Sequence, residues 1–221
     1  MRPRQPAGAA VLLLAALLLA ACSPATAPSG SRLAPGSPGL DAPSSTPAAA
    51  SSAASPSGRL AAALAAMDGG YTYTATVTVG ASAVSTARGR SVGGSSEFVL
   101  TSNGASVTYR AIPPRAWVEQ PGGAWVAVSG KVPAGSPIAA LAGPTGIAVV
   151  ADDAKGLALD ASYPPAALGL GGSKPVTVRL LVAPDGTVTA IYRTAVGTDA
   201  ASSTSVFTPA SGLAPITAPP Q

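Results

Sequence analysis

Tyr71-Thr72-Tyr73-Thr74-Ala75-Thr76-Val77-Thr78-Val79 alternates almost without a break. Tyr71, Tyr73, Ala75, Val77 and Val79 fall on one side, and four threonines fall on the other. Successive side chains of a strand point to opposite faces, so this period of two predicts a strand with one buried and one solvated face. That pattern belongs to antiparallel sheets, because a parallel sheet is covered on both faces.

Working outward, further strands are expected at about 83–92, 96–102, 106–112, 115–120 and 124–128. Turn residues separate them: Gly93-Gly94, Asn103-Gly104, Pro113-Pro114 and Pro121-Gly122-Gly123. Asn-Gly and Gly-Gly supply the positive φ that tight hairpins need, so consecutive strands form a meander. Upstream, 59–66 reads as a short helix, with Ser57 as its cap and Gly69-Gly70 as its stop. Leu60 and Leu64 share one face of that helix.

Downstream, the alternation breaks. Residues 136–143 predict a helix of one to two turns, with Ser136 as cap and Pro137 in the first position. Strands are expected at 146–151 and 157–163, the first of which also fits a helix, and 163–168 fits a helical turn. Strands at 175–182 and 187–193 flank Ala183-Pro184-Asp185-Gly186, a strong turn signal. A last strand at 201–207 precedes a proline-rich tail.

Composition narrows the function classes. Charged residues make up 10% of the 221, against about 25% in soluble domains, so Ser, Thr and Gly do much of the solubilising. The formal charge is +4, of which Arg2 and Arg4 supply two, and the remaining cations are scattered. No nucleic-acid partner is expected from such a distribution. There is no histidine, which removes the commonest general base and metal ligand. Serines abound, but no G-x-S-x-G or phosphate-cradling glycine loop occurs. No enzymatic activity, metal or cofactor is expected. Asp152-Asp153 is the one adjacent acid pair. Neighbours on a strand diverge, so the pair reads as a solvated turn rather than an acid/base couple, with a calcium contact as the weaker reading.

The N-terminus has its own logic. Arg2 and Arg4 precede an apolar run over 9–21, about 13 residues, which fits a signal peptide and falls short of the ~20 needed to span a bilayer. Leu19-Ala20-Ala21-Cys22 resembles the bacterial lipobox, and Cys22 is the only cysteine. The resemblance implies cleavage between Ala21 and Cys22 and a thioether-linked diacylglycerol on Cys22. The thiolate is the nucleophile such chemistry requires, and two or three acyl chains anchor durably where one does not. An ordinary secretory signal or an uncleaved membrane anchor is the alternative. The expected layout is therefore a signal peptide at 1–21, a lipidated Cys22 with a Ser/Ala/Pro linker to 58, and a domain at 59–221 on the extracytoplasmic face of the cell membrane. As a coil, the linker would span roughly 30–35 Å.

The domain resembles the LolA/LprG-like lipoproteins over about 59–219. The likeness lies in the order of elements and in three stretches. These are Tyr109-Arg110-Ala111-Ile112 leading to Trp117-Val118-Glu119 and Trp125, then Pro184-Asp185-Gly186-Thr187-Val188, and the ending Ile216 to Pro219. The resemblance implies an α+β, mainly β fold, a curved antiparallel sheet (half-barrel) wrapped over a few short helices. It also implies a lipid or glycolipid whose acyl chains lie between sheet and helices. A chain tethered at Cys22 does not suit a freely diffusing shuttle. Candidate cavity-lining residues are Tyr73, Val77, Phe98, Leu100, Val107, Tyr109, Trp117, Trp125, Ile138 and Leu141. The same residues equally suit an ordinary packed core. In that case the chain is a non-transporting envelope lipoprotein that binds a protein partner or senses a signal.

Overall fold

The computed structural model describes residues 55–128, 138–168, 170, 172–196 and 198–220. The leader, Cys22 and most of the linker lie outside the described residues, as do Ser136 and Pro137.

The chain is mainly β. Among the described residues one helix, α1 (Pro56–Ala65), precedes eleven strands: β1 (Tyr71–Val79), β2 (Ser82–Val92), β3 (Ser95–Ser102), β4 (Ala105–Ile112), β5 (Arg115–Glu119), β6 (Trp125–Ala127), β7 (Gly146–Asp153), β8 (Gly156–Tyr163), β9 (Val176–Val182), β10 (Val188–Val196) and β11 (Asp199–Pro209). All belong to one open, curved antiparallel sheet in the order β6-β5-β4-β3-β2-β1-β11-β10-β9-β8-β7. Two meanders, β1 to β6 and β7 to β11, are thus joined where the first strand pairs with the last. The edges, β6 and β7, are consecutive in the chain.

The alternating stretch that predicted β1 sits at the sheet's centre. Tyr71, Tyr73, Ala75 and Val77 are buried, Val79 is half-buried, and the threonines are exposed or half-buried. At the β3–β4 turn, Asn103 and Gly104 take φ of 51° and 78°, as a two-residue hairpin requires. The segment at 146–151, open between strand and helix, is a strand reaching Asp153. The helix expected over 136–143 is, within the described residues, a single 3-10 turn at Ala139–Leu141, and 163–168 yields another at Pro165–Leu168.

Helix α1 begins two residues earlier than the cap at Ser57 would place it, because Ser55 takes that role and accepts a hydrogen bond from the Gly58 amide at 3.1 Å. Leu60, Ala63 and Leu64 form its buried face, followed by Met67. They pack with Tyr71 and Tyr73 of β1, Leu157, Leu159 and Tyr163 of β8, Val178 and Leu180 of β9, Val188 of β10 and Phe207 of β11. The main core therefore lies beneath β1 and β8–β11, on the face covered by α1, with Ile147 of β7 half-buried at its margin. A smaller cluster of Ala75, Val77 and Ala87, with Val84 and Leu100 against it, continues along β1. Among the described residues no helix is long and apolar enough to cross a membrane.

Candidate functional site

Strand register sorts every side chain to one face, and the α1 face is taken here as the inner one. Three rows cross it. The first runs Val188, Phe207, Tyr73, Gly89, Phe98, Tyr109, Val118 from β10 to β5. The second runs Ala190, Ser205, Ala75, Ala87, Leu100, Val107. The third runs Tyr192, Ser203, Val77, Ser85, Ser102, Ala105.

The first row is an aromatic band. Tyr73 lies 6.3 Å from Phe207 and 6.4 Å from Phe98, and Phe98 stacks on Tyr109 at 5.1 Å. Such pairs add about 0.5–1.5 kcal/mol each beyond area burial. Gly89 makes the band possible. A Cβ there would lie 2.3 Å from the Glu97 carbonyl oxygen and 2.5 Å from the Phe98 Cβ.

The second row replaces large side chains by small ones. Ala190, Ser205, Ala75 and Ala87 are consecutive neighbours across four strands, and all four are buried. Neither the second nor the third row carries a charged side chain. The stretch from Ala190 to Ala87 presents little more than methyl and hydroxyl groups, with Leu100 and Val107 continuing the row.

Two buried hydroxyls here, Tyr73 Oη and Ser203 Oγ, meet no hydrogen-bond partner among the described residues. A buried hydroxyl left unpaired costs about 1–3 kcal/mol. Burial, aided by neighbouring Tyr71, pushes the Tyr73 phenol far above the usual tyrosine range. It therefore stays an O–H donor at any physiological pH.

Eight of the ten candidate lining residues lie on the α1 side of the sheet. Tyr73, Val77, Ile138 and Leu141 are buried, and Phe98, Leu100, Val107 and Tyr109 are half-buried on the inner face. Trp117 and Trp125 are not brought together with them. Trp117 pairs with Arg110 and Ala127, and Trp125 with Glu119, which puts both on the outer face. Inward positions nearby belong to Val118 and Val126, directly opposite each other. A one-residue step in a strand reverses the face, and apolarity alone does not reveal which step is right. Arg110 explains why the outer face accepts a tryptophan: its guanidinium lies 4.8 Å above the Trp125 ring while Nε donates to Glu97 at 2.9 Å. The sequence reading also missed Ser203, Ser205, Ala87 and Ala190. The run around β11 alternates small with small, and offers no amphipathic signal.

The outer face also holds the C-terminal tail. Arg90 Nη1 donates to the Ala214 carbonyl at 2.8 Å, and Arg110 Nη1 to the Thr217 carbonyl at 3.0 Å. Ile216 and Pro219 are buried. Asp152 and Asp153 close β7. Asp152 faces Arg59, and Asp153 accepts from the Lys155 amide at 2.8 Å within its turn. Among the described residues no three His, Cys, Asp or Glu side chains gather as a metal site.

No protein-family model matches the chain, and no curated protein sequence matches it.

Proposed function

We propose that this chain is a lipoprotein held at the extracytoplasmic face of the cell membrane by acyl chains on Cys22. Its curved sheet acts as a half-barrel that takes the acyl chain of a lipid or glycolipid against its inner face, in the manner of the LolA/LprG-like proteins it resembles. The observation that carries this reading is the row of Ala190, Ser205, Ala75 and Ala87 beside the aromatic band. Small side chains on a curved, uncharged surface leave room for a long apolar guest. The tether allows the domain to reach lipids near its own membrane without diffusing away.

Two experiments test the two halves. Cells expressing the full chain are fed labelled palmitate and fractionated beside a Cys22→Ser variant. The wild type is expected to carry label and sediment with membranes, and the variant to do neither; equal sedimentation without label overturns the anchor. Organic extraction of the purified full chain, followed by mass analysis, is expected to yield an acylated lipid in near-stoichiometric amount, and none overturns the lipid reading.

A second reading draws on the edges. Val126 on β6, Val128 just after it, and Val149 and Val150 on β7 are exposed apolar residues. Edge strands that expose valines invite strand addition by a protein partner. Under this reading, Val149→Lys abolishes recovery of a partner crosslinked in the envelope and leaves extracted lipid unchanged.

A further inference from the structure

We propose that the outer face of β2–β4 binds a proline-rich segment of a partner protein in polyproline II form, along a row of arginines that the chain's own C-terminal tail otherwise occupies. The partner's segment carries apolar side chains three residues apart and acidic residues between them. The outer face is open to this role whatever the inner face holds.

From 210 to 220 the tail forms neither helix nor strand. Its burial has a period of three: Leu213 is half-buried, Ile216 and Pro219 are buried, and every other residue of 211–220 is exposed. That is the period of polyproline II, not the two of a strand or the 3.6 of a helix. Pro215, Pro219 and Pro220 hold φ near the value this form needs. Leu213 reaches the start of β1, where a Cβ on Gly70 would lie 3.3 Å from its Cδ1.

The sheet matches that period across its strands. Thr72, Arg90, Glu97, Arg110 and Trp117 stand in one outward row from β1 to β5. Arg90 and Arg110 are two strands apart, which is about 9.6 Å at ~4.8 Å per strand. The carbonyls they hold, of Ala214 and Thr217, are three residues apart. In polyproline II that is about 9.3 Å, at ~3.1 Å per residue. One turn of the peptide therefore spans the step from one arginine to the next. Arg110 is fixed independently of the tail. Its Nε and Nη2 contact Glu97 Oε2 at 2.9 and 2.8 Å, and its guanidinium lies 4.8 Å above the Trp125 ring. Nη1 is left aimed at the passing carbonyl.

Both arginines read backbone carbonyls, which every residue offers, so spacing is recognised rather than sequence. The tail lifts without breaking any strand pairing, because β11 ends its ladder at Pro209. Charge selects the competitor. Strands β2–β4 carry Arg88, Arg90 and Arg110 against one carboxylate, Glu97, and residues 210–220 carry no charged side chain. A segment with carboxylates between its apolar positions gains charge-assisted hydrogen bonds that the tail does not offer. Against this the tail sets its attachment, which is worth an effective concentration in the millimolar range.

The test uses the full chain in detergent micelles and the fluorescence anisotropy of labelled peptides. Ile216→Asn loosens the tail, and Pro219→Asn does so nearer its end, so that one misfolded variant does not decide the outcome. Melting curves verify that each variant is folded. The probes are nonaproline, the same peptide with aspartates at the positions matching 214 and 217, and a peptide of residues 212–220. The acidic peptide is expected to bind the loosened variants about tenfold more tightly than nonaproline does. It should bind the wild type at least about tenfold more weakly than the loosened variants, because the attached tail competes. Arg90→Ala or Arg110→Ala, added to a loosened variant, should each lower binding about tenfold, the worth of one charge-assisted hydrogen bond. Binding of the 212–220 peptide alone would assign the surface to this tail or to that of a second copy, and would overturn the proposal. So would binding of neither proline peptide, binding that neither arginine variant moves, or equal binding by the wild type and the loosened variants.

Discussion

Tyr163 Oη donates to the Leu141 carbonyl at 3.0 Å, which ties the end of β8 to the 3-10 turn that precedes β7. Both residues are fully buried. The hydroxyl of Tyr73 is enclosed in the same core but finds no such acceptor among the described residues. Identical substitutions at the two sites should therefore have opposite signs. Tyr163→Phe orphans a buried carbonyl and is expected to cost about 1–3 kcal/mol, whereas Tyr73→Phe removes an unpaired hydroxyl and is expected to be neutral or stabilising in lipid-free protein. Urea unfolding of the two variants beside the wild type measures both.

Alkaline pH should unfold the domain early. Burial pushes the Tyr163 phenol up to about 12, and that of Tyr73 is raised as well. In the unfolded chain both ionise near 10. The native state keeps protons that the unfolded state has lost, so this contribution is complete below pH 10 and disappears as pH climbs through the folded values. Stability should fall by about 1.4 kcal/mol per pH unit for each tyrosine in that window. Unfolding midpoints between pH 9 and 12 test it, and Tyr163→Phe should flatten the slope by one proton. At the acid end, the Arg179 fork holds the Asp160 carboxyl below its usual range. That support is present above the unfolded aspartate value and is lost as pH falls below it.

Gly89→Ala should be among the most damaging single-methyl additions in the sheet. The new Cβ would lie within 2.3 Å of a carbonyl oxygen on β3, and backbone cannot step aside as a side chain can. A loss of more than about 3 kcal/mol is expected, the upper range for overpacking. Thermal melting checks it, with Gly143→Ala as a control, since nothing lies within 4 Å of a Cβ there.

Helix α1 is held by its leucines more than by its charge. Arg59 Nη1 touches both carboxylate oxygens of Asp152, at 2.6 and 2.7 Å, but the pair is substantially exposed. A double-mutant cycle on Arg59→Ala and Asp152→Ala should give no more than about 1 kcal/mol of coupling. Leu64→Ala should cost about 2–5 kcal/mol by leaving a cavity beneath the helix.

The strands were legible because their chemistry is local. The Tyr/Thr alternation of β1 and the turn pairs Asn103-Gly104 and Asp185-Gly186 each place an element without reference to the rest of the chain. The pairing of β1 with β11 was not legible, since it joins Tyr73 to Phe207 across the whole domain and no local pattern encodes it. The site suffered for the same reason. Its small residues come from β10, β11, β1 and β2, and become one surface only once that long-range register is known. Trp117 and Trp125 attracted attention as large apolar residues, yet Arg110 and Glu97 give that face a polar partner for them.

The central claim is that a lipid lies against Ala75 and its neighbours. Native mass spectrometry of the full chain, isolated with no lipid added and freed from detergent in the gas phase, measures this directly. The expected spectrum shows the protein carrying the mass of an acylated lipid beyond its own anchor. An Ala75→Leu variant, still folded by its melting curve, should lose most of that adduct. A wild-type spectrum with the anchored protein alone, or an adduct that Ala75→Leu leaves untouched, would contradict it.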